Sequence, residues 1–385
     1  MTRPTTAMTF AFAFVAVQVG TSLGCNAILG NGYGADDTAA DGSGGGNPVV
    51  EGGAGGDASD GGTGVDGMTT GDGSTLDGDV DAASCPRGVC AKQLTDAVGP
   101  QRLALSATGV YWASLAGIGR VNLDGSNPKI MLITQAVGAN LKRGISVAPD
   151  GLSAYVTMPG GGKGAAKCAA DLSSCGAGFI GSAGLASSIA SDATKVYVGI
   201  FDDQLAAAAG GIWQTAPDGT SALPYTMMLD KVLDLQIVGA TTYFRTAKAI
   251  NANTRTTMPT TAMTISASED TLGFVVVGTK LFVATASKHI QTCTLSLPTP
   301  CTGSVVQITA ENPSAITSDG TYVYWVERDA GTVNRCDVAN CSTTRLTLAT
   351  GQTAPNDIVV DATFVYWANY GDVAGAGGAV MKLPK

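Results

Sequence analysis

The chain has 385 residues and a formal net charge of −9, with 31 Asp and Glu against 22 Lys and Arg. That length admits two average domains or one large all-β domain. The acids outnumber the bases and no basic face is clustered, so nothing favours a nucleic-acid partner.

The chain opens MTRPTTAMTFAFAFVAVQVGTSLGC. Arg3 supplies a short basic start, Ala7–Val19 an apolar core, and small residues precede Cys25. This is the plan of a secretory signal over residues 1–24, too short and too flanked by polar residues to make a good membrane span. The TSLGC end resembles a bacterial lipobox, which implies lipidation of Cys25; Ser22 stands where Leu is usual. The alternative is an ordinary cleaved signal followed by a stray thiol.

Residues 25–84 follow. Between Asn26 and Ser84 stand eleven acidic residues, no Lys or Arg, and 18 Gly in 59 positions. A stretch so poor in aromatic residues cannot bury enough surface to offset its ordering entropy, so the composition predicts a disordered acidic tether. The eleven carboxylates account for the negative charge, and the remainder of the chain is near neutral.

Nine cysteines punctuate the sequence. Eight form tight local pairs: Cys85/Cys90, Cys168/Cys175, Cys293/Cys301 and Cys336/Cys341. Such short-range pairs in an exported chain predict disulfides made in an oxidising compartment. Cys25 is left over, as lipidation would leave it. Zinc is the rival reading of paired cysteines, and it is disfavoured by a single histidine and the absence of matching C-x-x-C spacings.

From residue 85 onward one phrase recurs: GVYWAS around Tyr111, SAYVT around Tyr155, KVYVGI around Tyr197, TTYFRT around Tyr243, KLFVAT around Phe282, YVYWVE around Tyr324 and FVYWAN around Tyr366. The steps between these aromatics are 44, 42, 46, 39, 42 and 42 residues. Each phrase follows a short apolar strand and a turn, and precedes a Gly-containing loop with, usually, two more strands. Four short strands per period with Gly/Asp turns describe a β-propeller blade. The continuous apolar runs suit a sheet buried on both faces. A sandwich gives no reason for a constant period, and a parallel solenoid uses shorter coils.

Seven phrases predict an all-β, seven-bladed propeller over residues 85–385. The last blade has three strands, near Ile358–Val360, Val365–Ala368 and Ala379–Leu383. Ala91–Val98 (AKQLTDAV) resembles the fourth strands of other blades, so it is expected to pair with Ala379–Leu383 and close the ring. Closure removes two free sheet edges. The ring is expected to be monomeric.

The VYWAS, VYWVE and VYWAN phrases resemble the YWTD repeat of LDL-receptor-type propellers and, more loosely, the NHL repeat. The Asp of YWTD is replaced by Ser114, Glu327 and Asn369, so the resemblance implies fold only. The layout as a whole resembles uncharacterised surface lipoproteins of Gram-negative bacteria. That implies an outer-membrane lipoprotein facing the periplasm or the cell surface, held to the membrane through a lipid anchor.

In an up-and-down blade the turns after strands one and three share one face, and the loops after strands two and four share the other. Three cysteine pairs flank third turns and would staple them, at roughly 2–3 kcal/mol each in the chain-entropy picture. Cys85/Cys90 would clamp the tether's exit. On the opposite rim, Asp202, Asp203, Glu327, Asp329, Asn369 and Asp372 are the candidate binding residues. Gathered there they would hold a hard cation such as Ca2+; the competing reading is solvated turn residues. Asp192, Asp319 and Asp361 recur before second strands as Asx-turn formers.

Enzyme readings lack parts. His289 is the only histidine, there is no G-x-S-x-G elbow, and the Gly runs lack a strand–GxGxxG–helix setting. No catalytic residue and no cofactor is assigned. The sequence points to a binding or scaffold module for a protein or glycan. The alternatives are a carboxylate-dependent glycan hydrolase or lyase, and a purely structural envelope component.

Overall fold

A computed structural model describes residues 88–385 apart from 115–116, 134–143, 159–163, 177, 179–184, 201–210, 228–230, 255–262, 268–269, 298 and 373. The leader, Cys25, the tether and Cys85 lie outside the described residues.

The chain is all-β. Six four-stranded antiparallel sheets and one three-stranded sheet follow in chain order, and they are the seven blades. In blade 2 the fourth-strand position is held by an isolated bridge between Cys168 and Cys175. The innermost strands are Pro100–Leu105, Ile145–Val147, Ala186–Ser191, Asp234–Val238, Thr271–Val277, Pro313–Ser318 and Pro355–Val360. Each neighbours the next, and the last neighbours the first, which closes the circle.

The repeated phrase is the second strand of every blade, and its alternation builds the core. The phrase aromatic faces the following blade. Tyr111 packs against blade 2, Tyr155 against blade 3, Tyr324 against blade 7 and Tyr366 against blade 1. The residue after it faces the preceding blade, as with Trp112, Val156, Trp325 and Trp367. Successive strand residues point to opposite faces, so each phrase fills two of the seven apolar layers between blades. This is why these strands read as unbroken apolar runs.

Local chemistry sets the turns. Asp319 Oδ1 accepts bonds from the Thr321 and Tyr322 amides at 2.9 and 2.7 Å. Asp361 and Asp192 do the same at the matching turns of blades 7 and 3. These are the expected Asx turns, which hold the backbone reversal without help from neighbours.

The seam forms as expected. Lys92–Asp96 pairs antiparallel with the final strand, Ala379–Pro384, with Lys92 opposite Lys382 and Asp96 opposite Ala379. The contact runs on past the strands, where the Ala97 amide donates to Gly378 O at 2.9 Å and the Gly99 amide to Gly375 O at 3.0 Å. A β-carbon on Gly375 would meet the Gly99 backbone at 2.9 Å. The Gly-rich loop of blade 7 thus lets two chain segments touch. Leu94 is 7 % exposed, in the apolar layer between blades 7 and 1.

Disulfides join Cys168–Cys175, Cys293–Cys301 and Cys336–Cys341 at the third turns of blades 2, 5 and 6. Cys90 is disulfide-bonded too, its partner lying outside the described residues. The three described bridges suggest an extracytoplasmic protein.

Candidate functional site

The inner strands enclose a central channel of about 240 Å³. Its chemistry follows from strand register. In each blade one inner-strand residue stands opposite the position two after the phrase aromatic. Around the ring these are Arg102, Gly144, Ser188, Asp234, Gly273, Ala315 and Asp357. Of these seven, Arg102, Gly144, Ser188, Asp234 and Asp357 line the channel, while Ala315 packs in the apolar layer between blades 6 and 7.

Arg102 of blade 1 reaches across to blade 4. Its Nη1 lies 3.4 Å from Asp234 Oδ2 and 3.9 Å from Asp357 Oδ1, and its Nη2 donates to Leu233 O at 3.4 Å. Burial lowers its pKa, but Asp234 and Asp357 outweigh burial and hold it above the usual guanidinium value. Asp357 Oδ2 accepts the Leu103 amide at 2.6 Å, which ties blade 7 to blade 1 beside the seam. Arg245, paired in register with Asp234, is 8 % exposed and donates from Nη1 to Thr271 O in blade 5. Burial pushes its guanidinium down to about 10, with Asp234 opposing and Arg102 adding to the shift. Ser188, 4 % exposed, has a hydroxyl packed against Gly199 with no hydrogen-bond partner among the described residues, and Arg245 Nε likewise has none there.

Among the described residues the channel wall therefore carries one cation, Arg102, and two carboxylates, Asp234 and Asp357, with Arg245 buried on the second strand behind it. It can bind a small polar molecule. The Arg102 guanidinium stands between Asp234 and Asp357, within 4 Å of each.

Of the six rim residues expected to bind, the structure describes four. Asp202 and Asp203 lie outside the described residues. Glu327, 1 % exposed, is turned into blade 6, where Trp325 Nε1, Thr332 Oγ1 and Arg345 Nη2 bond it at 2.8, 3.1 and 2.8 Å. Asn369 is buried and donates to Gln352 Oε1 at 3.0 Å. Asp329 is exposed, and Asp372 caps its own loop by accepting the Ala374 and Ala376 amides at 2.9 Å. Among the described residues no three His, Cys, Asp or Glu side chains are grouped to hold a metal. His289, at the start of the third strand of blade 5, is away from the channel wall, its ring 3.4 Å from Ser287 Oγ.

The channel charges escaped sequence reasoning by one position. Arg102, Asp234 and Asp357 each stand immediately before an apolar first-strand run, LALS, LQIV and IVV. Aligning the blades on the phrase aromatic and reading the partner two positions on would have collected them.

No family model and no curated protein matches the chain. Among solved structures, streptogramin B lyase is similar with a TM-score of 0.56 at 14 % identity, over 77 % of this chain and 97 % of that one. A computationally designed protein is similar at 0.51 and 11 %, over 72 % and 83 %. A chain of the nidogen/laminin complex gives 0.40 and 16 %, over 65 % and 80 %. The first two likenesses concern the fold alone: this chain is a seven-bladed β-propeller.

Proposed function

We propose that the chain is an exported, lipid-anchored propeller of the cell envelope that works as a binding module for a protein or glycan. The observation that carries this is the central channel, a concave polar site lined by Arg102, Asp234 and Asp357. Several features support the address: the signal-like leader, the unpaired ninth cysteine at Cys25, and the disulfides. If the 59-residue acidic stretch is the random coil its composition predicts, it would span about 40–45 Å, long enough to hold the ring clear of a membrane while it searches for its partner. The Asp-rich tether also avoids anionic headgroups.

One observation favours a second reading, a carboxylate-dependent glycan hydrolase or lyase. Asp234 and Asp357 approach the same Arg102 nitrogen in a concave channel, and a structure of similar fold is a lyase by name. The test is capture with the full chain from envelope extract. Retention of an intact protein or glycan supports the binding module. Release of glycan fragments, lost in Asp357→Asn, replaces it with the enzyme. The anchor is tested separately: Cys25→Ser is expected to move the protein from the membrane fraction to the soluble one, and retention in the membrane would remove the lipid from the proposal.

A further inference from the structure

We infer that Arg102 is a crossbar that couples closure of the ring to its far side, so that loosening the seam between blades 7 and 1 is felt in blade 4 and reshapes the charged wall of the channel. The inference goes beyond the binding-module reading and depends on no ligand.

The origin of the three wall charges carries it. Arg102 comes from blade 1 and Asp357 from blade 7, the two blades that flank the seam, while Asp234 comes from blade 4. Separating blades 7 and 1 therefore separates Arg102 from Asp357. The backbone shares the contact. Asp357 Oδ2 accepts the Leu103 amide at 2.6 Å, and Asn356 Nδ2 donates to Gln101 O at 3.2 Å. Gln101, Arg102 and Leu103 are thus engaged in succession by Asn356 and Asp357.

Packing extends this contact outward. The Leu103 side chain lies in the same apolar layer as Leu94 and Val380. Leu94 belongs to the strand that closes the ring. One cluster therefore runs from the outer strand of the seam to the residue beside Arg102.

Across the channel, Arg102 Nη1 lies 3.4 Å from Asp234 Oδ2, and Nη2 donates to Leu233 O at 3.4 Å. Charge holds the guanidinium there, since Asp234 and Asp357 both lie within 4 Å of Nη1. Arg245, behind Asp234 in register, gives its Nη1 to Thr271 O of blade 5. With Arg102 withdrawn, two like charges would face one another in a partly buried space, which is unfavourable. A disturbance passed through packing alone would have to cross the intervening blades. One passed through Arg102 skips them.

The experiment is amide hydrogen exchange on the purified full chain, which reports local opening element by element. Leu94→Ala is expected to speed exchange about tenfold or more in Lys92–Asp96 and Ala379–Pro384. It should also speed exchange at least about twofold in Asp234–Val238 of blade 4, with Ala186–Ser191 of blade 3 unchanged. In the Arg102→Met background the seam effect of Leu94→Ala should persist and its effect on blade 4 should vanish. Blade 4 unmoved while the seam loosens, blade 3 responding as much as blade 4, or a blade 4 response that survives Arg102→Met would each overturn the inference. If Leu94→Ala does not fold, Arg102→Met alone decides. Exchange should then rise in Pro355–Val360 and Asp234–Val238 together, and a rise in one without the other would overturn the crossbar.

Discussion

Asp319 gathers four bonds on one carboxylate. Its Oδ1 takes the Thr321 and Tyr322 amides, and its Oδ2 takes the Tyr324 hydroxyl at 2.9 Å and Lys385 Nζ at 2.7 Å. Burial raises its pKa, but these donors outweigh burial and bring it down to about 2. The Tyr324 phenol moves the opposite way, raised by burial and by the bond to Asp319. A folded-state pKa below the unfolded one contributes stability that is complete above about pH 4 and is lost as pH falls toward 2. Stability measured by urea unfolding is therefore expected to fall across that window, and Asp319→Asn to flatten the fall. An unchanged slope in the variant would place the acid sensitivity elsewhere. The turn role of Asp319 was legible from its place before a repeated phrase. Its hold on Lys385, 66 residues on, was not, because nothing local in the sequence encodes a contact between blades. Arg102 and Asp357 were hidden for the same reason: their partners are set by the ring's closure.

Trp325 shows how much a single strand carries. Fully buried, it fills the layer between blades 5 and 6 while its neighbour Tyr324 fills the layer between blades 6 and 7. Trp325→Ala is expected to cost about 3–5 kcal/mol in denaturant unfolding, with a further penalty because Glu327 loses the indole donor at 2.8 Å. A cost below about 1 kcal/mol would mean that blades 5 and 6 are not packed as described. Strands of this kind were plain in the sequence, since their composition states that both faces are buried. The last residue of the same strand was not. Glu327 ends the second strand of blade 6, and only its register there turns the carboxylate inward to Arg345 and away from the rim. The glycines of blade 7 were likewise set apart only from dinucleotide binding; their use is a close approach to Gly99.

At the scale of the whole molecule the repeat period and the seam were both readable. The period follows from recurring aromatics. The seam follows from an outer strand missing at one end of the chain and a spare one at the other. Leu94 is the seam's buried side chain, so Leu94→Asp is expected to destabilise by at least about 3 kcal/mol by burying an unpaired charge. Amide-exchange protection should fall in blades 7 and 1 together. Leu132→Asp, 72 % exposed on the outer strand of blade 1, should change little. Equal effects from the two variants would remove the special place of the seam.

The seam joins strands from the two ends of the folded chain, and the preceding chain enters through the first of them. A pull on the chain preceding Lys92 is therefore delivered first to Lys92–Asp96, the outermost strand of blade 7. Resistance to such a pull is set by how fast that strand peels, so the ring's mechanical fuse and its closure are the same five residues.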